Sequence, residues 1–220
     1  MERIVVGETG WADIDLKADP GKLVKISEQM LSVEEMFDAH RLPSECNIKT
    51  LFDNISDALH KWTGSTYVGV KKDKKLENAY KTFFDAFYKL LTCFVQADEK
   101  YRKIADRILF NGTLYRYLGH SSGDNEYCSP VEPEYNGIWV SWSKDDVRDI
   151  PYFNTKLYGV KTFLVCETGK LKGIDLSGWD ALFDTNIVRP SESEVVYPTI
   201  KESMVDVIYL DEDREDDEDE

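Results

Sequence analysis

Histidine and cysteine are scarce in this 220-residue chain, with three of the first and four of the second. Cys46, Cys93, Cys128 and Cys166 include no C-x-x-C, and His40, His60 and His120 form no ligand-spaced cluster with them. A zinc site and a disulfide framework are therefore unsupported, and reduced thiols are expected. Glycine never gathers into G-x-G-x-x-G or G-x-x-x-x-G-K-[ST], so neither a Rossmann turn nor a P-loop is read. No window approaches the ~18 apolar residues of a membrane span. Met1-Glu2-Arg3 leads into the short run Ile4-Val5-Val6 with no long apolar stretch behind it, so no signal peptide is read and a cytoplasmic setting is expected. Positive charge is also short: 27 Lys plus Arg stand against 42 Asp plus Glu, a formal net charge of -15. Stable binding to DNA or RNA needs a basic footprint that such a body lacks, although a nucleic acid as a brief substrate stays open.

What is present is enough apolar material for a folded body. With 42% hydrophobic residues, the chain can bury one generous core or two small lobes. The acid is concentrated at one end, where residues 211–220, DEDREDDEDE, hold nine acids and one arginine. They carry -8 of the charge and leave the rest mildly acidic. A segment of this composition is expected to be disordered, and to serve solubility, mimic nucleic acid or dock a basic partner.

Residues 1–21 combine a short strand-like run with Gly7, Gly10, Pro20 and Gly21 and read as a loosely ordered arm. From 22 to 110 the apolar period is helical. Leu23, Val24, Ile26, Met30 and Leu31 recur near 3.6 residues, and Ser32-Val33-Glu34-Glu35 reads as the cap of a further helix. Arg41-Leu42-Pro43-Ser44 breaks the chain, after which Leu51, Ile55, Leu59 and Trp62 share one face. A Gly- and Lys-rich connection over 64–75 precedes the longest expected helix, Leu76 to Leu109. Its stripe of Tyr80, Phe83, Phe84, Phe87, Leu90, Leu91 and Phe94 predicts core. After Asn111-Gly112, short runs at 113–118, 137–142, 157–166, 194–197 and 204–210 predict strands, hence an α+β chain with antiparallel or mixed sheets. The expected organisation is an arm (1–21), a helical region (22–110), a β-rich core (111–210) and the acidic tail (211–220).

Three of the strand-like runs carry chemistry. Arg116 is the cation inside Thr113–Leu118, Ser141 and Ser143 end the run from Gly137, and Glu192 and Glu194 stand just ahead of Val195-Val196-Tyr197. An extended chain projects Glu192 and Glu194 to the same side, where like charges repel unless water, a cation or a substrate faces them. Taken locally, the pair is also what an acidic strand edge looks like, and Arg116 could sit in a surface ion pair. Taken together, an arginine, a serine and a Glu-x-Glu pair, in that order and each on its own strand, resemble the Arg-Ser-Glu class of mono-ADP-ribosyltransferases. The likeness spans roughly Gly112 to Tyr209 and is to the catalytic core of the exoenzyme-type toxins and their phage and vertebrate relatives.

The resemblance implies a helical region packed on a pair of antiparallel or mixed β-sheets, with 111–210 as the NAD-binding catalytic core. It implies NAD as substrate, no metal, and transfer of ADP-ribose to a macromolecular acceptor. Arginine on a protein is the favoured acceptor, because Glu occupies the first position of the pair. A nucleobase acceptor, plain NAD hydrolysis, and a catalytically silent interaction protein working through its acidic tail remain as alternatives. Glu194 is the implied catalytic carboxylate and Glu192 the group that orients or deprotonates the nucleophile. Arg116 would grip phosphate or ribose oxygens, and Ser141 would hydrogen-bond the ribose or the carboxylate. Tyr115, Ser143 and Phe153 complete the implied NAD contacts, Phe153 with Arg148 and Tyr152 in the segment that drapes over the dinucleotide.

The family usually reads Ser-Thr-Ser where this chain has Ser141-Trp142-Ser143, and strand alternation predicts that Trp142 packs beneath the site. Phe183, Asn186 and Arg189 lie in the segment that recognises the target in the family, and Gly173–Ser177 resembles its turn after the third strand. His120 follows Arg116 by four residues, but the other major class carries histidine where Arg116 stands, so a loop role is expected for it. The implied setting is a phage enzyme, a toxin or an effector, with a neutralising antitoxin or immunity partner and no membrane partner.

Overall fold

The computed structural model describes residues 18–64, 73–118, 137–146, 162–187, 193–200 and 204–209, and five helices and seven strands lie within them. Helix α1 (Pro20–Asp38) begins where Asp19 Oδ1 accepts the Gly21 N–H at 2.8 Å and Pro20 fills the first turn, where its missing N–H is harmless. The expected arm thus yields its last two residues to a helix. Ser32 lies inside α1 instead of capping a second helix, because the buried face of Leu23, Ile26, Met30 and Val33 runs on unbroken. Helix α2 (Glu45–Gly64) follows the break at Pro43 and buries Leu51, Ile55, Leu59 and Trp62.

Helix α3 (Lys74–Val95) is capped by Asp73, which accepts from the Lys75 and Leu76 N–H groups. It buries the whole predicted stripe, and each such ring stabilises by about 1.5–3 kcal/mol. The helix expected to reach Leu109 stops at Val95. Asp98 starts α4 (Glu99–Ile108) by accepting from the Lys100 and Tyr101 N–H groups, a local alternative that competes with helix continuation.

The strands are β1 (Leu109–Phe110), β2 (Thr113–Leu118), β3 (Trp139–Ser143), β4 (Thr162–Glu167), β5 (Gly173–Asp175), β6 (Glu194–Pro198) and β7 (Asp206–Tyr209). Helix α5 (Leu176–Phe183) follows β5 directly. Every pairing is antiparallel, in the order β1-β5-β6-β3-β2-β4-β7. A pair of sheets was expected, and one curled, hydrogen-bonded sheet is found with its weak point in the middle. β3 pairs with β6 from Trp139↔Pro198 to Ser143↔Glu194, and β2 with β4 from Thr113↔Glu167 to Leu118↔Thr162. β2 and β3, in contrast, share only Tyr115↔Ser143. Two wings therefore meet at a single bridge. β1 was expected as helix, and β5 as a turn.

Alternation along β3 and β6 sorts side chains between two cores. Trp139 and Val196 join Ile174, Phe83, Phe84, Phe87 and Trp179 on the helical side. Val140, Trp142, Val195 and Tyr197 turn the other way and cluster with Leu114, Leu164 and Cys166 of the other wing. Polar ties pin helix to sheet and helix to helix: the Trp139 indole N–H of β3 donates to Asp85 of α3 at 2.8 Å, and that of Trp179 in α5 to Ser56 Oγ of α2 at 3.0 Å. Glycine is required at 178, where a Cβ would sit 2.4 Å from the Arg107 carbonyl oxygen. Among the described residues no helix is long and apolar enough to cross a membrane.

Candidate active site

Glu194 opens β6, opposite Ser143 of β3, and Ser141 stands two residues further along β3, opposite Val196. Ser141 and Glu194 are thus diagonal neighbours on one face, within reach of each other across the ladder. The Ser141 Oγ–H donates to Glu194 Oε1 at 2.5 Å, the length of a hydrogen bond to a charged oxygen. The same oxygen accepts the Trp62 indole N–H at 3.3 Å from the last turns of α2.

Arg116 reaches this pair from β2. Because β2 and β3 diverge on either side of Tyr115↔Ser143, a β3 carbonyl facing that gap has no ladder donor across it. The Arg116 guanidinium donates to the Ser141 carbonyl instead. A cation, a hydroxyl and a carboxylate separated by 25 and 53 residues are thereby joined through one residue, Ser141. All three side chains are half-buried, so water or a ligand reaches them while their geometry is held by the sheet.

The remaining site expectations divide. Ser143 is paired opposite Glu194 in the ladder, but its hydroxyl is engaged locally: it donates to the Asp145 carbonyl at 2.8 Å and accepts from the Asp145 N–H at 3.1 Å. Tyr115 stands opposite Ser143 at the bridge. Trp142 is buried on the face turned away from Ser141, beneath the site. Its Nε1–H finds no acceptor among the described residues. Phe183 stands at the end of α5 and not in a loop, and packs on Trp179 and Phe52, with ring centroids 4.3 and 5.0 Å away. Asn186 is exposed in a left-handed conformation. Glu192, Phe153, Arg148, Tyr152, Arg189, His120 and the acidic tail lie outside the described residues.

Neighbouring groups hold the site without entering it. Lys144, next after Ser143, bonds Asp175 at 2.6 Å, and its N–H donates to the Ser193 carbonyl at 3.0 Å. Asp175 in turn caps α5 through the Gly178 N–H at 2.9 Å. Thiolate chemistry at Cys166 and Cys93 is disfavoured at neutral pH. Burial, and then the nearby Glu167 charge, push the Cys166 thiol up to about 12, and burial with Asp38 and Glu34 raises Cys93 as well. Among the described residues no group of three His, Cys, Asp or Glu side chains is arranged to hold a metal.

No family model matches the chain, and neither a curated protein nor a solved structure matches it. One participant escaped the sequence reading. Trp62 was assigned to an apolar helical face, which is correct, but its indole N–H reaches a carboxylate 132 residues away. The only local signal is its place at the end of that face, where a ring with a polar edge suits a boundary between core and site.

Proposed function

We propose that the chain is a mono-ADP-ribosyltransferase that cleaves NAD and passes ADP-ribose to a macromolecular acceptor, with a protein arginine as the favoured one. The observation that carries this is the meeting of Arg116, Ser141 and Glu194 from three separate strands. Breaking the bond between ribose C1′ and nicotinamide sends the electron pair out with nicotinamide and leaves positive charge on the sugar. A carboxylate held at C1′ stabilises that charge, and Glu194, fixed through one oxygen by two donors, is suited to the task. It would also accept a hydrogen bond from the ribose 2′-hydroxyl.

Arg116 has five N–H donors in a planar fork, so it can hold the Ser141 carbonyl and a phosphate or ribose oxygen together. Ser141, bonded to both partners, keeps the carboxylate and the cation in register. An acceptor nitrogen then forms the new bond to C1′ and gives its proton to Glu192, the companion acid of the pair.

Incubation with labelled NAD and separate pools of protein, RNA and DNA is the direct test. Label on protein supports the favoured acceptor, label on nucleic acid moves the acceptor to a base, and label in free ADP-ribose makes the enzyme a hydrolase. Glu194→Gln keeps the shape and removes the charge, so turnover of NAD should fall by orders of magnitude while the fold persists. Turnover equal to wild type in that variant, or no NAD-induced rise in melting temperature of the wild type, would reject the proposal.

A further inference from the structure

The helical region meets the sheet at many apolar positions, but at one point it touches the chemistry. Trp62 is 5% exposed, and its ring is clamped edge-on by Tyr80 and Phe84 of α3, both with centroids 4.9 Å away. An indole so held presents its N–H in a fixed direction and loses little further freedom when it bonds. That direction leads to Glu194 Oε1, the oxygen that Ser141 also grips.

We infer that Trp62 is a positioning residue for Glu194, and that α2 and α3 are thereby part of the catalytic unit and not merely a support for it. This rests on the reading of Glu194 as the catalytic carboxylate. Ser141 approaches Oε1 from the neighbouring strand and Trp62 from the helical side. Two donors from different elements restrain both the distance and the rotation of the carboxylate more tightly than either would alone. A Glu side chain has three rotatable bonds, and misplacement by about 1 Å from a reacting centre lowers a rate by about a hundredfold. Losing the second donor should act on the rate of the chemical step more than on NAD binding, which Arg116 serves from another strand.

Trp62→Phe removes the N–H and retains a ring between Tyr80 and Phe84. With labelled NAD and a host lysate as acceptor pool, kcat should fall about tenfold, the loss of one long charge-assisted hydrogen bond, while KM for NAD stays within about twofold. Trp179→Phe is the control: it removes a buried indole N–H whose acceptor is Ser56 and not Glu194, and should leave kcat per folded molecule unchanged. If Trp62→Phe matches wild type while Glu194→Gln is inactive, Trp62 has no positioning role although the function stands. If Trp179→Phe loses as much kcat as Trp62→Phe, the effect is general loosening and the inference fails. Full turnover in Glu194→Gln removes both.

A second measurement does not depend on folding of the Trp62 variant. In 15N spectra, the indole N–H signal of Trp62 should move on Glu194→Gln more than those of Trp139 and Trp179, whose acceptors are Asp85 and Ser56. A Trp62 signal that stays in place would show that the bond is absent, and the inference would fall with it.

Discussion

Replacing Ser141 by alanine separates the three-residue arrangement at its centre, because Ser141 bonds Arg116 through its carbonyl and Glu194 through its hydroxyl. The backbone carbonyl that Arg116 binds survives the substitution, so the variant removes the hydroxyl and leaves the cation's anchor in place. The lost bond is 2.5 Å long and ends on a carboxylate, and hydrogen bonds of that kind are worth about 1.5–3 kcal/mol. If that difference is expressed in the transition state, kcat falls by between about 10-fold and about 150-fold. The Trp62 bond to the same oxygen is longer, 3.3 Å, so its loss should rank below this one, and loss of the charge itself in Glu194→Gln above it. The order Glu194→Gln, Ser141→Ala, Trp62→Phe is thus set by charge and by distance. Single-turnover cleavage of labelled NAD reads it, with urea unfolding as the check that each variant is folded. A Ser141→Ala enzyme within threefold of wild type, or one weaker than Trp62→Phe in its effect, would refute the claim that Ser141 holds Glu194 for chemistry.

Two further outcomes follow from buried groups. Trp142→Phe and Trp179→Phe remove the same atoms from buried rings, but the Trp179 N–H is bonded to Ser56 while that of Trp142 finds no acceptor among the described residues; urea unfolding should show Trp142→Phe less destabilised by about 2 kcal/mol, and equal losses would contradict the accounting. The Cys166 thiol is raised from its ordinary value of 9.0 to about 12 by burial and then by Glu167, so the folded state holds this proton more tightly than the unfolded one. Its contribution is complete below pH 9 and is lost as pH rises toward 12, at about 1.4 kcal/mol per pH unit. An alkylating reagent at pH 8 should label the exposed Cys46 long before Cys166, and equal rates would refute the burial.

The helices were legible because their apolar faces repeat at 3.6 residues, and the stripe from Tyr80 to Phe94 is buried along its length. The break after Val95 was not, for a specific reason. Phe94, Tyr101, Ile104, Ala105 and Ile108 keep the phase of the same face across the gap, so periodicity is blind to an interruption that Asp98 makes by capping. β1 escaped because Leu109 and Phe110 extend the apolar run of α4, and β5 because three residues that open on a glycine read as a turn. Arg116, Ser141 and Glu194 were legible as types on strands, but their meeting depends on β3 lying between β2 and β6, and pairing order is not a local property. Trp62 was hidden for the same reason.

The weakest point of the sheet is also where Arg116, Ser141 and Glu194 are joined, and the two facts have one cause. Had β2 and β3 zipped along their length as β2 and β4 do, the β3 carbonyls on that side would be consumed by the ladder. The Arg116 guanidinium would then have no backbone acceptor on β3. A single bridge at Tyr115↔Ser143 instead lets the wings part, so the sheet gives up ladder hydrogen bonds there and the Arg116 guanidinium takes the Ser141 carbonyl across the gap. That trade is unfavourable for stability alone, since unpaired strand edges are costly to bury and prone to mispairing. The second core between the wings, with Trp142, Val195 and Tyr197 against Leu114, Leu164 and Cys166, offsets it by burying apolar surface directly beneath the parted strands. Trp142 fills the floor of the gap while Ser141, next to it on the strand, faces the opposite way toward Glu194.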